Sequence, residues 1–237
     1  MGVFSLLIYV AIGTITIINT LREYLVMKFK EINKLPASFY TRKNVLTIAK
    51  ELLGKILVTQ FDNILTASRI VETEAYEGIT DKASHAYNNK RTNRTEIMFG
   101  NGGFSYVYLC YGVHHLFNVV TNTINHPHAV LIRATEPLAG IETMLLRTGK
   151  LTADFSLTKG PGNVAKAMGI DKTHTGISLL SNELFIADDG YIITPKNILA
   201  TKRIGIDYAA EDALLPYRFI VKDNLYVSGK KSQNIAY

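Results

Sequence analysis

The spacing of apolar residues along the chain changes several times, and each change marks an element. Over residues 45–53 the apolar positions Val45, Ile48, Ala49, Leu52 and Leu53 recur at three and four, the stripe of a helix. Asn44 is placed to cap its start and Gly54 to stop it. Residues 56–61 and 64–76 switch to β-branched and aromatic residues with a period of two, and Asp62-Asn63 between them predicts a hairpin turn. Residues 79–103 are mostly polar, and a loop that long inside a compact domain usually serves function. Residues 106–111 and 116–121 predict a second hairpin with Gly112 at its tip, and residues 129–134 a continuously apolar strand that carries Arg133. Residues 141–147 read as a helix, as do residues 162–168 after Gly160-Pro161, and a last strand lies near residues 218–221. Strands and helices do not alternate regularly, so the pattern predicts an α+β fold with a curved, mainly antiparallel sheet and flanking helices.

The two strands around the long polar loop carry unusual cargo. Alternation places Glu72, Glu74 and Tyr76 on one face of the first, and Tyr106 and Tyr108 on one face of the second. An ordinary inward face would hold Val and Ile. Two carboxylates and three tyrosines point instead to a lined site, and position alone does not choose between Glu72 and Glu74.

Composition narrows the class without naming an activity. The 237 residues are 47% hydrophobic and 19% charged, as expected of a globular chain rather than a disordered one. A formal charge of +6 favours a polyanionic partner such as nucleic acid. The single Cys110 excludes an intrachain disulfide and a multi-thiolate zinc site. His114-His115 and His126-Pro127-His128 have no carboxylate at a convincing ligand spacing, so they are read as structural or surface residues rather than as metal ligands. The apolar run within residues 3–21 is marginal in length for a membrane span and is followed by Arg22, Lys28, Lys30 and Lys34. Two readings of residues 1–26 stand: a cytoplasm-facing anchor, or an upstream extension of a chain that starts at Met27. The folded domain is then expected over residues 27–237.

Seven motifs stand in order through the chain: RIVETEAY (residues 69–76), SHAY (84–87), RTNRTEIMF (91–99), YVYLCYG (106–112), FNVV (117–120), AVLIRATEPL (129–138) and LTKGPGNVAKAMGI (157–170). Together they resemble the alkyladenine (3-methyladenine) DNA glycosylase family, the type without a helix-hairpin-helix, from about residue 35 to residue 228. The resemblance implies a fold like the C-terminal domain of formyltransferases, with a β-hairpin that enters the DNA minor groove. It implies a monofunctional enzyme of base excision repair that flips a damaged purine out of duplex DNA and hydrolyses its N-glycosidic bond. No metal or other cofactor is implied, and a monomer located with the chromosome in the cytoplasm is expected.

Residue by residue, Glu74 matches the general base that activates the attacking water, and Arg133 an arginine that helps hold that water and a nearby phosphate. An arginine in an apolar strand also demands an anionic partner on physical grounds. Tyr76, His85 and Tyr108 match the base pocket, where electron-rich rings suit cationic alkylated purines. Asn118 matches the position that crowds the amino group of normal guanine. Tyr111 matches the residue that takes the place of the flipped nucleotide in the stack. Lys90, Arg91 and Arg94 are candidates for phosphate contact, and so are the free N–H groups of residues 159–162. Asn93 departs from the proline common at its place. A non-catalytic nucleic-acid binding module of the same fold is the competing reading.

Overall fold

One long strand organises the molecule, and its two halves have different neighbours. The computed structural model describes residue 29 and residues 32–235, and contacts divide the chain into residues 1–33 and residues 34–237. The sheet and helices that build the site belong to the second unit. The apolar N-terminal run and the expected boundary at residue 26 lie outside the described residues. Among the described residues no helix is long and apolar enough to cross a membrane.

After a two-residue strand β1 (Asn33–Lys34) come α1 (Ala37–Tyr40), α2 (Val45–Leu52), β2 (Ile56–Phe61) and β3 (Ile64–Tyr76). Then follow β4 (Ser105–Cys110), β5 (His114–Thr121), β6 (His128–Ala139), α3 (Ile141–Thr148) and α4 (Pro161–Met168), and last β7 (Leu184–Asp188), β8 (Ile198–Thr201) and β9 (Arg218–Val221). The strands lie in the order β7-β2-β3-β6-β5-β4, with β9 pairing with β3 and β8 with β9. Every pairing among β2 to β9 is antiparallel. The fold is α+β, as the pattern predicts.

Local chemistry accounts for the joints. The Asn44 side chain accepts from the Thr47 N–H at 2.9 Å and caps α2, a bond worth about 1 kcal/mol. Asp62 and Asn63 both take positive φ, 51° and 60°, which gives the β2–β3 turn the hand that matches strand twist. The buried face of α2 (Val45, Ile48, Ala49, Leu52) joins a core with Leu57, Ile70, Phe117, Ile132, Val164 and Ile186, which ties α2 and α4 to the sheet. The strand predicted over residues 129–134 runs five residues further, through Pro137 to Ala139. Proline is accommodated because the β3–β6 register slips there, pairing Ser68 with Pro137 and Ala67 with Ala139.

Two further slips matter for function. Between Ile70↔Thr135 and Glu72↔Ala134, Val71 is an extra residue on β3, and between Glu72↔Ala134 and Thr73↔Ile132, Arg133 is an extra residue on β6. Opposed bulges re-aim side chains while restoring the register beyond them. β9 covers the other edge of β3 at this level, pairing with residues 72–74. Glu72, Thr73, Glu74 and Ala75 are therefore all buried, where a half-exposed strand would alternate.

Candidate active site

A cleft of about 610 Å³ opens beside the second half of β3, and Tyr76, His85, Tyr108, Asn118 and Arg133 line it. Glu74 lies directly behind that lining and exposes no surface. Its Oε2 accepts from the Tyr76 hydroxyl at 2.8 Å, and its Oε1 accepts from the Ile204 N–H at 2.7 Å. Nη1 of Arg133 stands 3.3 Å from Oε2. A carboxylate oxygen has two lone-pair sites and each here accepts one hydrogen bond, so each keeps acceptor capacity, Oε2 only while Arg133 stays at its longer distance.

Glu72 sits two residues away in a different environment. Its Oε1 accepts from Arg133 Nε at 2.8 Å, from Arg218 Nε at 2.7 Å and from the Ser228 hydroxyl at 2.9 Å. Its Oε2 accepts from the Ser228 N–H at 2.7 Å. Burial opposes its ionisation, but Arg133, Arg218 and the Ser228 N–H together hold it below the ordinary carboxylate range. Arg133 thus has the anionic partners that its strand position demands. Burial works against its charge, and Glu74 and then Glu72 more than restore it. Nη2 also donates to the Ser228 hydroxyl at 3.2 Å. Arg133 is only 7% exposed and all three of its nitrogens face protein partners.

The aromatic walls are cross-braced. His85 packs edge-on against Tyr108 with ring centroids 4.5 Å apart, and its Nδ1 lies 2.8 Å from the Tyr106 hydroxyl. Burial, reinforced by Arg94 and Lys90, pushes His85 down to about 4, so its ring is neutral near pH 7. Burial pushes the Tyr76 hydroxyl up, with the Glu74 charge adding to it, and burial does the same for Tyr108. Both phenols therefore remain protonated donors.

Arg203, which sequence reasoning overlooked, lies over the Tyr76 ring at 4.9 Å and forks onto Asp81. Ile204 was overlooked as well. Both come from an irregular stretch with no periodicity, more than 120 residues from the side chains they serve.

The remaining candidates divide by exposure. Asn118 is buried, and its Nδ2 donates to the Tyr106 and Leu116 carbonyls at 3.2 and 3.3 Å. Tyr111 is 88% exposed at the β4–β5 tip, on the rim of the same cleft. Lys90 is exposed. Arg91 is exposed but forks onto Glu96 at 2.8 and 2.6 Å. Arg94 is exposed but tied to the aromatic wall: its Nε donates to the Tyr106 hydroxyl at 3.2 Å, and its Nη2 lies 2.6 Å from His85 Nε2 and 2.8 Å from Nδ1. Lys159, Gly160 and Gly162 reach the cleft rim. Among the described residues no group of three or more His, Cys, Asp or Glu gathers in a way that could hold a metal ion.

A desolvated carboxylate paired with a guanidinium, under a slot of neutral aromatic rings, suits a planar ring held beside a bond that develops positive charge as it breaks. Comparison with known proteins bears on the family. The family model for methylpurine-DNA glycosylase matches residues 38–225. A protein of Alkaliphilus oremlandii is 48% identical over 204 residues, 83% of this chain and 100% of the relative. One of Desulfitobacterium hafniense is 44% identical over 204 residues, covering 83% and 99%. One of Clostridium perfringens is 45% identical over 205 residues, covering 83% and 100%. All three carry the provisional name 3-methyladenine DNA glycosylase. With a match that spans most of its length and relatives this similar from end to end, the chain belongs to the methylpurine-DNA glycosylase family.

Proposed function

We propose that this DNA glycosylase flips an alkylated or deaminated purine of the 3-methyladenine type out of duplex DNA and releases it by direct hydrolysis. Glu74 takes a proton from a water as its oxygen bonds to the anomeric carbon, and the glycosidic electron pair leaves with the base. The carboxylate also stabilises the positive charge that grows on the sugar ring, as in other glycosidic hydrolyses. Arg133, 3.3 Å from Glu74, helps hold the attacking water and the nearby phosphate. Tyr76, His85 and Tyr108 receive the flipped base, Asn118 crowds normal guanine, and Tyr111 fills the vacated position in the stack. Lys90, Arg91 and Arg94 serve the phosphate backbone and the rim of the slot. Double-stranded DNA with damaged purines is the substrate, met as a monomer in the cytoplasm.

The observation that carries this reading is the contact of Glu74 with Tyr76 and Arg133, both of which line the cleft. Because Glu74 exposes no surface, the attacking water is one that reaches it through the cleft.

Glu74→Gln keeps the shape and removes the basic charge. Its release of 3-methyladenine from methylated DNA should fall about 10²–10⁴-fold while affinity for damaged duplex stays near that of the wild type. Full activity in this variant removes Glu74 from the mechanism. A DNA-binding module without chemistry would instead show no release even in the wild type.

A further inference from the structure

Behind Glu74 the charges continue. Arg218 exposes no surface, and its five N–H donors meet five acceptors. Nε donates to Glu72 at 2.7 Å, Nη1 to the Thr201 hydroxyl at 3.0 Å and the Gln233 carbonyl at 2.9 Å, and Nη2 to the Ser228 carbonyl and Asn234 Oδ1, both at 2.9 Å. Ser228 joins the same group three times more, donating its N–H and its hydroxyl to Glu72 and accepting from Arg133. Glu74, Arg133, Glu72 and Arg218 thus form one buried chain of two anions and two cations. Its outer end is closed by residues 228–234, which lie beyond the family match that stops at residue 225.

Two distances show what this chain does for Glu74. Arg133 makes its short bond, 2.8 Å, to Glu72 and stands at 3.3 Å from Glu74. Arg133 therefore spends its close hydrogen bond on Glu72, and Glu74 Oε2, which already accepts from Tyr76, keeps a lone-pair site that Arg133 does not close onto. Without the Glu72 charge, Arg133 would have Glu74 as its only near anion among the described residues and would close onto the oxygen that has to meet water. We infer that Glu72, Arg218 and the C-terminal residues 228–234 are a positioning clamp that keeps Arg133 off the Glu74 carboxylate. This rests on the reading that Glu74 and Arg133 carry the chemistry.

The test uses the full chain, single-turnover release of 3-methyladenine, affinity for an abasic-site duplex and thermal unfolding. Glu72→Gln should lower the release rate about a hundredfold with duplex affinity unchanged, the scale expected of a small misplacement at a reacting centre. Glu72→Gln combined with Arg218→Gln restores charge balance, so thermal stability should recover while the rate stays low. Ser228→Ala, which removes one bond to each of Glu72 and Arg133, should fold normally and release base about tenfold more slowly.

A rate that recovers in step with stability in the double variant makes the cluster structural only and overturns the clamp. So does a wild-type rate in Glu72→Gln, or, should that variant fail to fold, in Ser228→Ala, when Glu74→Gln is inactive. Full activity of Glu74→Gln overturns the underlying reading and the clamp with it.

Discussion

Histidine 85 shows how far single neighbours decide chemistry. Burial in the aromatic wall, the Arg94 guanidinium and Lys90 together bring it to about 4, against an ordinary value of 6.5. Arg94 can only donate, so the imidazole nitrogen it meets must accept, which again requires the neutral ring. The unfolded chain binds a proton at this residue below pH 6.5 and the folded one only below about 4. Stability from this residue is therefore complete above pH 6.5 and is lost as pH falls through that window, with a slope of at most about 1.4 kcal/mol per pH unit. Thermal unfolding between pH 7 and pH 4 should show the decline, and His85→Gln should flatten that part of the curve. An unchanged profile in the variant would mean that His85 is not held neutral by the fold.

The β4–β5 hairpin belongs to the element scale. Its tip places Tyr111 at φ +50° and Gly112 at φ +71°, so the turn keeps an aromatic residue in the left-handed region, where side chains are strained. The Tyr111 ring is 88% exposed and returns little burial for that strain. Tyr111→Gly should leave thermal stability equal or raise it by up to about 1 kcal/mol, since glycine accepts positive φ freely. The same variant should bind an abasic-site duplex more weakly, because no wedge remains to fill the stack. Stability and affinity moving in opposite directions is the signature of a residue kept for DNA. Affinity equal to that of the wild type would end the wedge proposal.

Across the whole molecule, the formal charge of +6 sets the long-range pull on DNA. The basic loop does not contribute uniformly. Arg91 is forked onto Glu96 and Arg94 is bonded to His85 and Tyr106, whereas Lys90 is exposed and has no such fork among the described residues. Lys90→Ala should therefore reduce the slope of log affinity against log salt by about 0.9, the value of one phosphate contact, with base release at saturation unchanged. A slope equal to that of the wild type would take Lys90 out of the DNA interface.

Much of this was legible before folding. The α2 stripe and its Asn44 cap, the Asp62-Asn63 turn and the strands on either side of the polar loop depend on residues within a few positions of one another, and sequence pattern reads that range well. The β6 extension past Pro137 was hidden because a register slip, set by the partner strand, makes room for a residue that breaks regular pairing. Glu72 and Glu74 were indistinguishable by position. What separates them is Ile204 meeting Glu74 across 130 residues, and Arg218 and Ser228 meeting Glu72 across 146 and 156. The chain alone determined which elements form and which side chains are available for chemistry, because propensity and turn geometry are local. Only the tertiary structure decided which carboxylate bonds to the cleft-lining Tyr76 and which is neutralised deeper by Arg133 and Arg218, because burial and ion pairing come from segments that meet only once the chain has folded.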